Sequence, residues 1–265
     1  MICILFMFFF SFVNSFLNNK IIFSNSFFRT FSNKKIYNSN NLYEKTINYT
    51  KNQQLYVDAL NDPNVILIFV IGSAGTGKTF ISCKWGLNQF LIGNMKKIII
   101  TRPLISVSNE NIGFIPGDIT DKMQPWAQPI YDAFLDNNII NKISLNKYIL
   151  NSNIEIVPLG FMRGRTFSNS FIFADEMQNS TPEQMLMLLT RIGNNSKVVI
   201  SGDLQQSDID KNNNGLFDFI NKFKSFNPSN SSFNNTQNNF IKVIKFDKED
   251  IFRSKITSII LDIYK

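Results

Sequence analysis

A glycine-rich stretch at residues 72–79, with the sequence GSAGTGKT, constrains the fold of this chain more than any other feature. It fits the pattern G-x-x-x-x-G-K-[ST], follows an apolar run at 65–71, and precedes a helix predicted to begin near Thr79. The glycines let the backbone curl so that successive N–H groups point at a phosphate, and the helix N-terminus adds partial positive charge. The pattern therefore predicts a phosphate-binding loop between a strand and a helix.

The residue types in this loop also predict what it binds. Lys78 is expected to reach the β- and γ-phosphates, and the Thr79 hydroxyl is expected to ligate Mg²⁺. The expected ligands are therefore ATP and Mg²⁺. The predicted binding residues of the loop are Gly72, Ser73, Ala74, Gly75, Thr76, Gly77, Lys78 and Thr79.

Short apolar runs alternate with segments of helical period along the rest of the chain. The runs of strand length are 65–71, 96–101, 154–157, 170–174, 197–201 and 241–246. The clearest helix is 182–192, with Thr181 as N-cap and Gln184 completing a capping box, and a further helix is predicted at 249–264. Buried strands that alternate with amphipathic helices predict an α/β domain, a mostly parallel sheet with helices on both faces.

Two carboxylates, Asp175 and Glu176, directly follow the apolar run at 170–174. A Mg²⁺-dependent nucleotide site needs one carboxylate near the metal and another group to orient water, so we expect Asp175 to hold Mg²⁺ and Glu176 to act as the general base. Adjacent carboxylates favour an ATP hydrolase over a kinase, which must exclude activated water. The run at 197–201 also ends in polar residues, among which Gln206 or Gln205 is expected to touch the γ-phosphate or the attacking water.

Composition excludes several other chemistries. The chain has no histidine, so Ser/His/Asp triads and zinc sites with imidazole ligands are excluded, and its two cysteines do not form a disulfide framework. The formal net charge is +7, but four basic residues precede the first acidic residue, Glu44, and leave +3 for the remainder. A mildly basic body fits phosphate or RNA binding and equally an ordinary solvated surface.

The N-terminal 43 residues have the composition of a targeting leader. Residues 1–17 are apolar and rich in phenylalanine, and residues 18–43 are rich in Asn, Ser, Phe and Lys without an acidic residue. A signal segment followed by a transit segment favours a plastid-type organelle, with a mitochondrion second and a disordered tail third. We therefore expect a leader at 1–43, a mature form without stable membrane insertion, and one domain at 44–265 that carries a low-complexity loop at 227–239.

The ordered string of motifs resembles the PhoH-like P-loop ATPases, which are related to the superfamily 1 helicases. The motifs are GSAGTGKT at 72–79, TRP at 101–103, GFIPGD at 113–118, PLGFMRGRT at 158–166, DEMQN at 175–179, LTR at 189–191 and GDLQQ at 202–206. The resemblance covers roughly Tyr43 to the C-terminus and implies a single RecA-like domain. It also implies a homo-oligomeric ring, most plausibly a hexamer.

The resemblance assigns further residues. Gln53 is similar to the glutamine that recognises adenine, and Arg253, in the stretch Asp250-Ile-Phe-Arg, is a candidate arginine finger. Three positions depart from the family pattern: Ser73 replaces a proline, Phe252 a valine and Ser254 a histidine. If single-stranded RNA binds, its best-placed contacts are arginines, for each of which an ion pair with a domain carboxylate is the alternative. They are Arg102, Arg163, Arg165 and Arg191.

The sequence thus predicts a Mg²⁺-dependent ATP hydrolase in which Lys78, Glu176, Gln206 and Arg253 act in catalysis, with single-stranded RNA as a further expected partner. Two alternatives remain. One is an ATP-gated RNA-binding or scaffold protein with negligible turnover. The other is a nucleotide kinase, which lacks support from any motif for a second substrate.

Overall fold

A computed structural model describes residues 48–103, 119–135, 140–210, 213–226 and 239–251, with only the helical backbone for 119–126. Several expectations from the sequence lie outside this part of the chain. They are the leader at 1–43, the motif at 113–118, the low-complexity loop except its last residue, and Arg253. In the described part, no helix is long and apolar enough to cross a membrane.

The described elements alternate between strands and helices. The strands are β1 (Leu67–Ile71), β2 (Lys97–Arg102), β3 (Ile154–Pro158), β4 (Ser170–Ala174), β5 (Lys197–Gly202) and β6 (Ile241–Lys245). The helices are α1 (Lys51–Asn61), α2 (Lys78–Leu91), α3 (Ile119–Leu135), α4 (Lys142–Leu150), α5 (Pro182–Leu189) and α6 (Gly215–Phe226). Short 3₁₀ turns lie at Leu159–Met162, Met177–Asn179 and Lys248–Asp250.

The six strands form one sheet in the order β3-β2-β4-β5-β1-β6, and every described pair is parallel. The predicted α/β fold is confirmed, and each predicted apolar run overlaps a strand whose ends differ from it by at most two residues. Because β5 lies between β1 and β4, the carboxyl end of β5 is next to the loop after β1 on one side and next to Asp175, which follows β4, on the other. Three connections that are distant in sequence therefore meet at one edge of the sheet.

Side chains of each strand alternate between two hydrophobic cores, one on each face of the sheet. In β1, Ile68 and Val70 belong to one core, whereas Leu67, Phe69 and Ile71 belong to the other. Helices α1 to α4 contribute buried residues to the first core, and α5 and α6 contribute to the second. Both faces are covered, which explains why the parallel strands are almost continuously apolar.

Helix α5 begins as predicted but ends three residues early. Thr181 and Gln184 form the predicted capping box. The predicted end at Ile192 is wrong, because the chain after Leu189 turns and pairs with residue Phe167 in a short parallel bridge. The Arg191 carbonyl oxygen accepts a hydrogen bond from the Phe167 N–H, and the helix does not continue.

The sequence predicts a helix over 249–264, of which the structure describes only the first three residues, and these depart from the prediction. Lys248–Asp250 form a 3₁₀ turn and Ile251 is extended, with φ −79° and ψ 109°. The Asp247 side chain accepts from the backbone of Asp250, and the Asp250 side chain accepts from the backbone of Asp247. This reciprocal cap closes the turn, so the predicted start at Glu249 is wrong, and the remainder of the predicted helix lies outside the described residues.

Candidate nucleotide site

The loop after β1 has the backbone shape that its glycines allow. Gly75 and Gly77 have φ of 84° and 88°, in the left-handed region that favours glycine. Gly72 lies against the chain after β6, where an added Cβ would come within 2.7 Å of the Phe246 Cβ. Gly72 therefore allows close packing at the start of the loop, and Gly75 and Gly77 allow the left-handed backbone before α2.

Lys78, the first residue of α2, is folded back onto this loop. Its ammonium group donates to the carbonyl oxygens of Gly72 and Ser73, at 2.6 and 2.8 Å. The Thr76 hydroxyl donates to the same Ser73 carbonyl at 2.9 Å. The ammonium group therefore already lies at the loop in which the phosphate is expected. A bound phosphate would compete with the two carbonyl oxygens for its hydrogen bonds.

Asp175 is the centre of a polar cluster at the carboxyl ends of three strands. Its carboxylate accepts from the Thr79 hydroxyl at 3.2 Å, from the Ser201 hydroxyl, and from the Glu176 N–H at 3.1 Å. A hydroxyl beside a carboxylate fits Mg²⁺, which takes few protein oxygens and completes its shell with phosphates and water. Sequence reasoning missed Ser201, although it lies at the end of β5, directly before the GDLQQ motif.

Glu176 follows Asp175 with a left-handed backbone, φ 54° and ψ 34°, which is unusual for a residue with a side chain. One carboxylate oxygen, Oε2, accepts from the Gln178 side-chain amide at 2.6 Å. Glu176 is half-buried. The sheet edge therefore presents two neighbouring carboxylates with different partners.

Two cavities meet at these carboxylates. The first, about 630 Å³, is lined by Tyr49, Gln53, most of the phosphate loop, the first turn of α2 and both carboxylates. The second, about 690 Å³, lies at the end of β2 and includes Arg102 and residues of α3. Both are lined by Thr79, Phe80, Asp175 and Glu176. The two carboxylates are therefore accessible from both sides.

Gln53 lines the first cavity, but most of its amide group is engaged by the protein. Its Nε2 donates to the carbonyl oxygens of Thr76 and Asp250 at 3.0 and 3.3 Å, and its Oε1 accepts from the Thr50 N–H at 3.1 Å. Gln53 is 3% exposed. An adenine ring could use only the remaining lone pair of Oε1, so in this arrangement the glutamine joins the phosphate loop to the C-terminal segment.

Asp250 anchors that segment to the start of α1, a role that sequence reasoning missed. Its carboxylate accepts from the Thr50 hydroxyl, from the Asn52 amide at 2.9 Å and from the Asp247 N–H at 2.7 Å. Asp250 is 1% exposed. The charge is thus buried with hydrogen bonds to its oxygens, as a buried carboxylate requires.

Tyr56 connects α1 to the start of α2 inside the first core. Its hydroxyl lies 2.5 Å from the Ser82 hydroxyl, which donates to the Lys78 carbonyl at 2.7 Å. Burial raises the pKa of Tyr56 well above its ordinary value, so the hydroxyl stays protonated at every physiological pH. The backbone of Lys78 is therefore bonded to a buried pair of hydroxyl groups in the first core.

Of the remaining predicted site residues, Gln206 lies in the described part of the chain and Arg253 does not. Gln206 has an exposed side chain, and its carbonyl accepts from the Gln178 amide at 3.3 Å. Arg253 lies outside the described residues, so its predicted role stays a prediction.

The arginines proposed for RNA differ in their surroundings. Arg165 donates to Glu155 at 2.6 Å, which is the ion-pair alternative. Burial opposes ionisation of Glu155, but hydrogen bonds from Lys97 and Arg165 outweigh it and lower the pKa of that carboxyl. Arg163 is exposed, Arg102 lines the second cavity, and Arg191 donates to Thr190 at 3.3 Å.

A parallel α/β sheet with a glycine-rich phosphate loop after β1, and with acidic residues at the end of β4, defines a P-loop NTPase of RecA-like architecture. The family profile described as "PhoH-like protein" matches residues 46–265. This chain belongs to the PhoH-like family, and the resemblance inferred from its motifs is confirmed.

Curated relatives agree with this assignment. The PhoH-like protein of Bacillus subtilis (strain 168) is 36% identical over 216 residues, which cover 81% of this chain and 62% of the relative. The PhoH-like protein of Mycobacterium tuberculosis (strain ATCC 25618 / H37Rv) is 43% identical over 160 residues, covering 60% and 44%. Protein PhoH of Escherichia coli (strain K12) is 35% identical over 204 residues, covering 75% and 52%. The chain thus spans 44% to 62% of the length of these three relatives.

Proposed function

We propose that this protein binds ATP with Mg²⁺ in the first cavity and hydrolyses it. The observation that carries the proposal is the convergence of Lys78, Thr79, Asp175 and Glu176 on one cavity of about 630 Å³. A phosphate-binding lysine beside two adjacent carboxylates can hold a nucleotide and activate water at the same place.

Each residue has a defined task in this reaction. The loop N–H groups and the Lys78 ammonium bind the phosphates, and Thr79 and Asp175 would hold the metal. Mg²⁺, when bound, supplies positive charge that offsets the charge of the phosphates. Glu176 accepts a proton from a water aligned with the γ-phosphate, and the exposed Gln206 side chain contacts that water or the phosphate.

ATP hydrolysis by the purified domain, measured with and without single-stranded RNA, tests the proposal. We expect Mg²⁺-dependent release of phosphate that is absent when the metal is chelated. ATP binding without phosphate release would favour the ATP-gated binding protein, and phosphate transfer to an added nucleoside monophosphate would favour the kinase.

We further propose that single-stranded RNA binds at the carboxyl edge of the sheet and stimulates hydrolysis. The second cavity supports this proposal, because Arg102 lies there beside Asp175 and Glu176. Double-stranded DNA serves as the control, and stimulation should weaken as salt rises because phosphate contacts release counterions. Equal stimulation by both nucleic acids at all salt concentrations would contradict a specific single-strand site.

For the leader we propose targeting to an organelle, with a plastid-type organelle ahead of a mitochondrion. The support is the acid-free composition of residues 1–43. A fluorescent reporter fused after residue 43 should enter an organelle, whereas a fusion that begins at residue 44 should not. A diffuse cytosolic signal from the first fusion would show that this segment is a disordered tail.

A further inference from the structure

Gln178 makes three hydrogen bonds that join Glu176 to the loop at 203–206. Its Nε2 donates to Glu176 Oε2 at 2.6 Å and to the Gln206 carbonyl at 3.3 Å. Its Oε1 accepts from the Asp203 N–H at 3.1 Å. Both donors of the amide and one lone pair of its oxygen are thus used, and the side chain is 1% exposed.

The surroundings leave this amide little freedom. Gln178 lies on the 3₁₀ turn Met177–Asn179, which is closed by a hydrogen bond from the Asn179 N–H to the Glu176 carbonyl at 3.0 Å. At the end of β5, a Cβ added to Gly202 would come within 2.7 Å of Gln178 Oε1. The glycine therefore provides the space in which the amide reaches the loop.

Glu176 needs such support because its backbone is in a sparsely populated region. A left-handed conformation costs a residue with a side chain about 1 kcal/mol or more, and it persists where surrounding contacts hold it. The hydrogen bond from Gln178 fixes Oε2 and leaves Oε1 to accept a proton from water. A base held in one orientation reacts faster than one that samples several.

We propose that Gln178 is a positioning residue that orients the Glu176 carboxylate and couples it to the loop at 203–206. This inference rests on the proposed hydrolysis of ATP, in which Glu176 is the base and Gln206 contacts the reacting groups. A shift of the loop at Gln206 or Asp203 moves the Gln178 amide and, through it, the orientation of Glu176. The state of the γ-phosphate is thereby linked to the alignment of the base.

A double-mutant cycle tests the proposal, with single-turnover hydrolysis of γ-labelled ATP as the readout. Gln178→Met keeps the side-chain volume and removes the hydrogen bonds. It should lower the hydrolysis rate by about 10- to 10²-fold, as a displaced catalytic group does, with ATP affinity unchanged. In the Glu176→Gln background the same substitution should change the rate less than about twofold, because the residue acts through Glu176.

Asn179→Ala is the matched control. Asn179 lies on the same turn, and its side chain donates to Asp208 Oδ2 at 2.9 Å, two residues beyond that loop. Only its backbone N–H bonds Glu176, at the carbonyl, and the substitution by alanine keeps that N–H. This variant should hydrolyse ATP at the unmodified rate. Hydrogen exchange adds a readout that does not depend on activity, since the Asp203 amide should exchange faster in Gln178→Met and not in Asn179→Ala.

The outcomes separate this inference from the proposed function. If Glu176→Gln slows hydrolysis but Gln178→Met does not, or if their effects multiply in the double mutant, Gln178 is not a positioning residue and the proposed function stands. If Glu176→Gln leaves hydrolysis unchanged, the proposed base itself is wrong. Should Gln178→Met fail to fold, Gln178→Glu replaces it. This variant keeps an acceptor for the Asp203 amide but replaces the donors with a second carboxylate against Glu176, so the loss should be at least as large as that of Gln178→Met.

Discussion

ATP binding will be lost when Lys78 is replaced by alanine, whereas Glu176→Gln will keep binding and lower the hydrolysis rate by about 10²-fold or more. The lysine contributes its charge to the phosphates in the ground state, so its loss weakens binding itself. Glutamine keeps the shape of Glu176 but cannot accept the proton of water. The two substitutions therefore separate binding from chemistry within one cavity.

Titration with a fluorescent ATP analogue measures binding, and pre-steady-state phosphate release measures chemistry. Lys51→Ala and Glu183→Gln are the matched controls, because both side chains are exposed on the described surface, at the beginnings of α1 and α5. They should change neither quantity. Hydrolysis by Glu176→Gln at the unmodified rate would remove Glu176 from the mechanism.

The sequence predicted the fold and the meeting of the phosphate loop with Asp175, because both rest on local patterns. An apolar run, a glycine loop and a following helix leave few alternatives, and parallel strands bring their carboxyl ends to one edge. The order of the strands in the sheet could not be predicted from these local patterns. The position of β5 between β1 and β4 depends on how β5 packs against both neighbours, and it makes Ser201 a partner of Asp175.

Residues that hold other residues could not be predicted in the same way. Gln178 lies in the DEMQN motif that carried the resemblance, but its role depends on a loop 25 residues further on, at Asp203. In the sequence, Asp250 stands out only as part of the stretch that contains Arg253. In the structure Asp250 is buried and accepts a hydrogen bond from Asn52, 198 residues away. A single amide or carboxylate has no periodicity that would indicate such partners, because these contacts arise from tertiary structure alone.

The structure also changes how Gln53 is understood. The resemblance implied a contact with adenine, which uses the amide as both donor and acceptor. Here the donors reach Thr76 in the phosphate loop and Asp250 in the C-terminal segment. The residue therefore links the phosphate loop to the C-terminal segment at Asp250.

That link matters for the second large effect we expect, the loss of most ATP hydrolysis in Arg253→Ala with ATP affinity largely kept. We propose that Arg253 of one subunit reaches the γ-phosphate bound by its neighbour in a hexameric ring. The proposed nucleotide site lies at the edge of the sheet, where a neighbouring subunit can supply this cation. An arginine supplied in trans contributes about 10³- to 10⁵-fold to turnover in well-studied phosphoryl-transfer systems.

The contacts of Asp250 support a fixed position for the start of this segment. Asp250 precedes Arg253 by three residues. Its buried carboxylate accepts hydrogen bonds from Thr50 and Asn52 at the beginning of α1. The described chain is thus anchored up to Asp250, and we expect Arg253 to act from this anchored segment. Preorganisation of this kind is what a finger needs, because a loosely held cation loses binding energy to its own ordering.

Mixing two inactive variants decides whether the finger acts across an interface. Glu176→Gln subunits lack the base and Arg253→Ala subunits lack the finger, so each homo-oligomer should be nearly inactive. A head-to-tail ring of both contains interfaces in which an intact Glu176 faces an intact Arg253 from the neighbour, and these should restore part of the activity. Arg253→Lys is the matched variant, since it keeps the charge and loses the planar fork of donors that spans phosphate oxygens. If the mixture stays inactive while the two variants co-assemble, or if the active wild-type species sediments as a monomer, Arg253 does not act in trans.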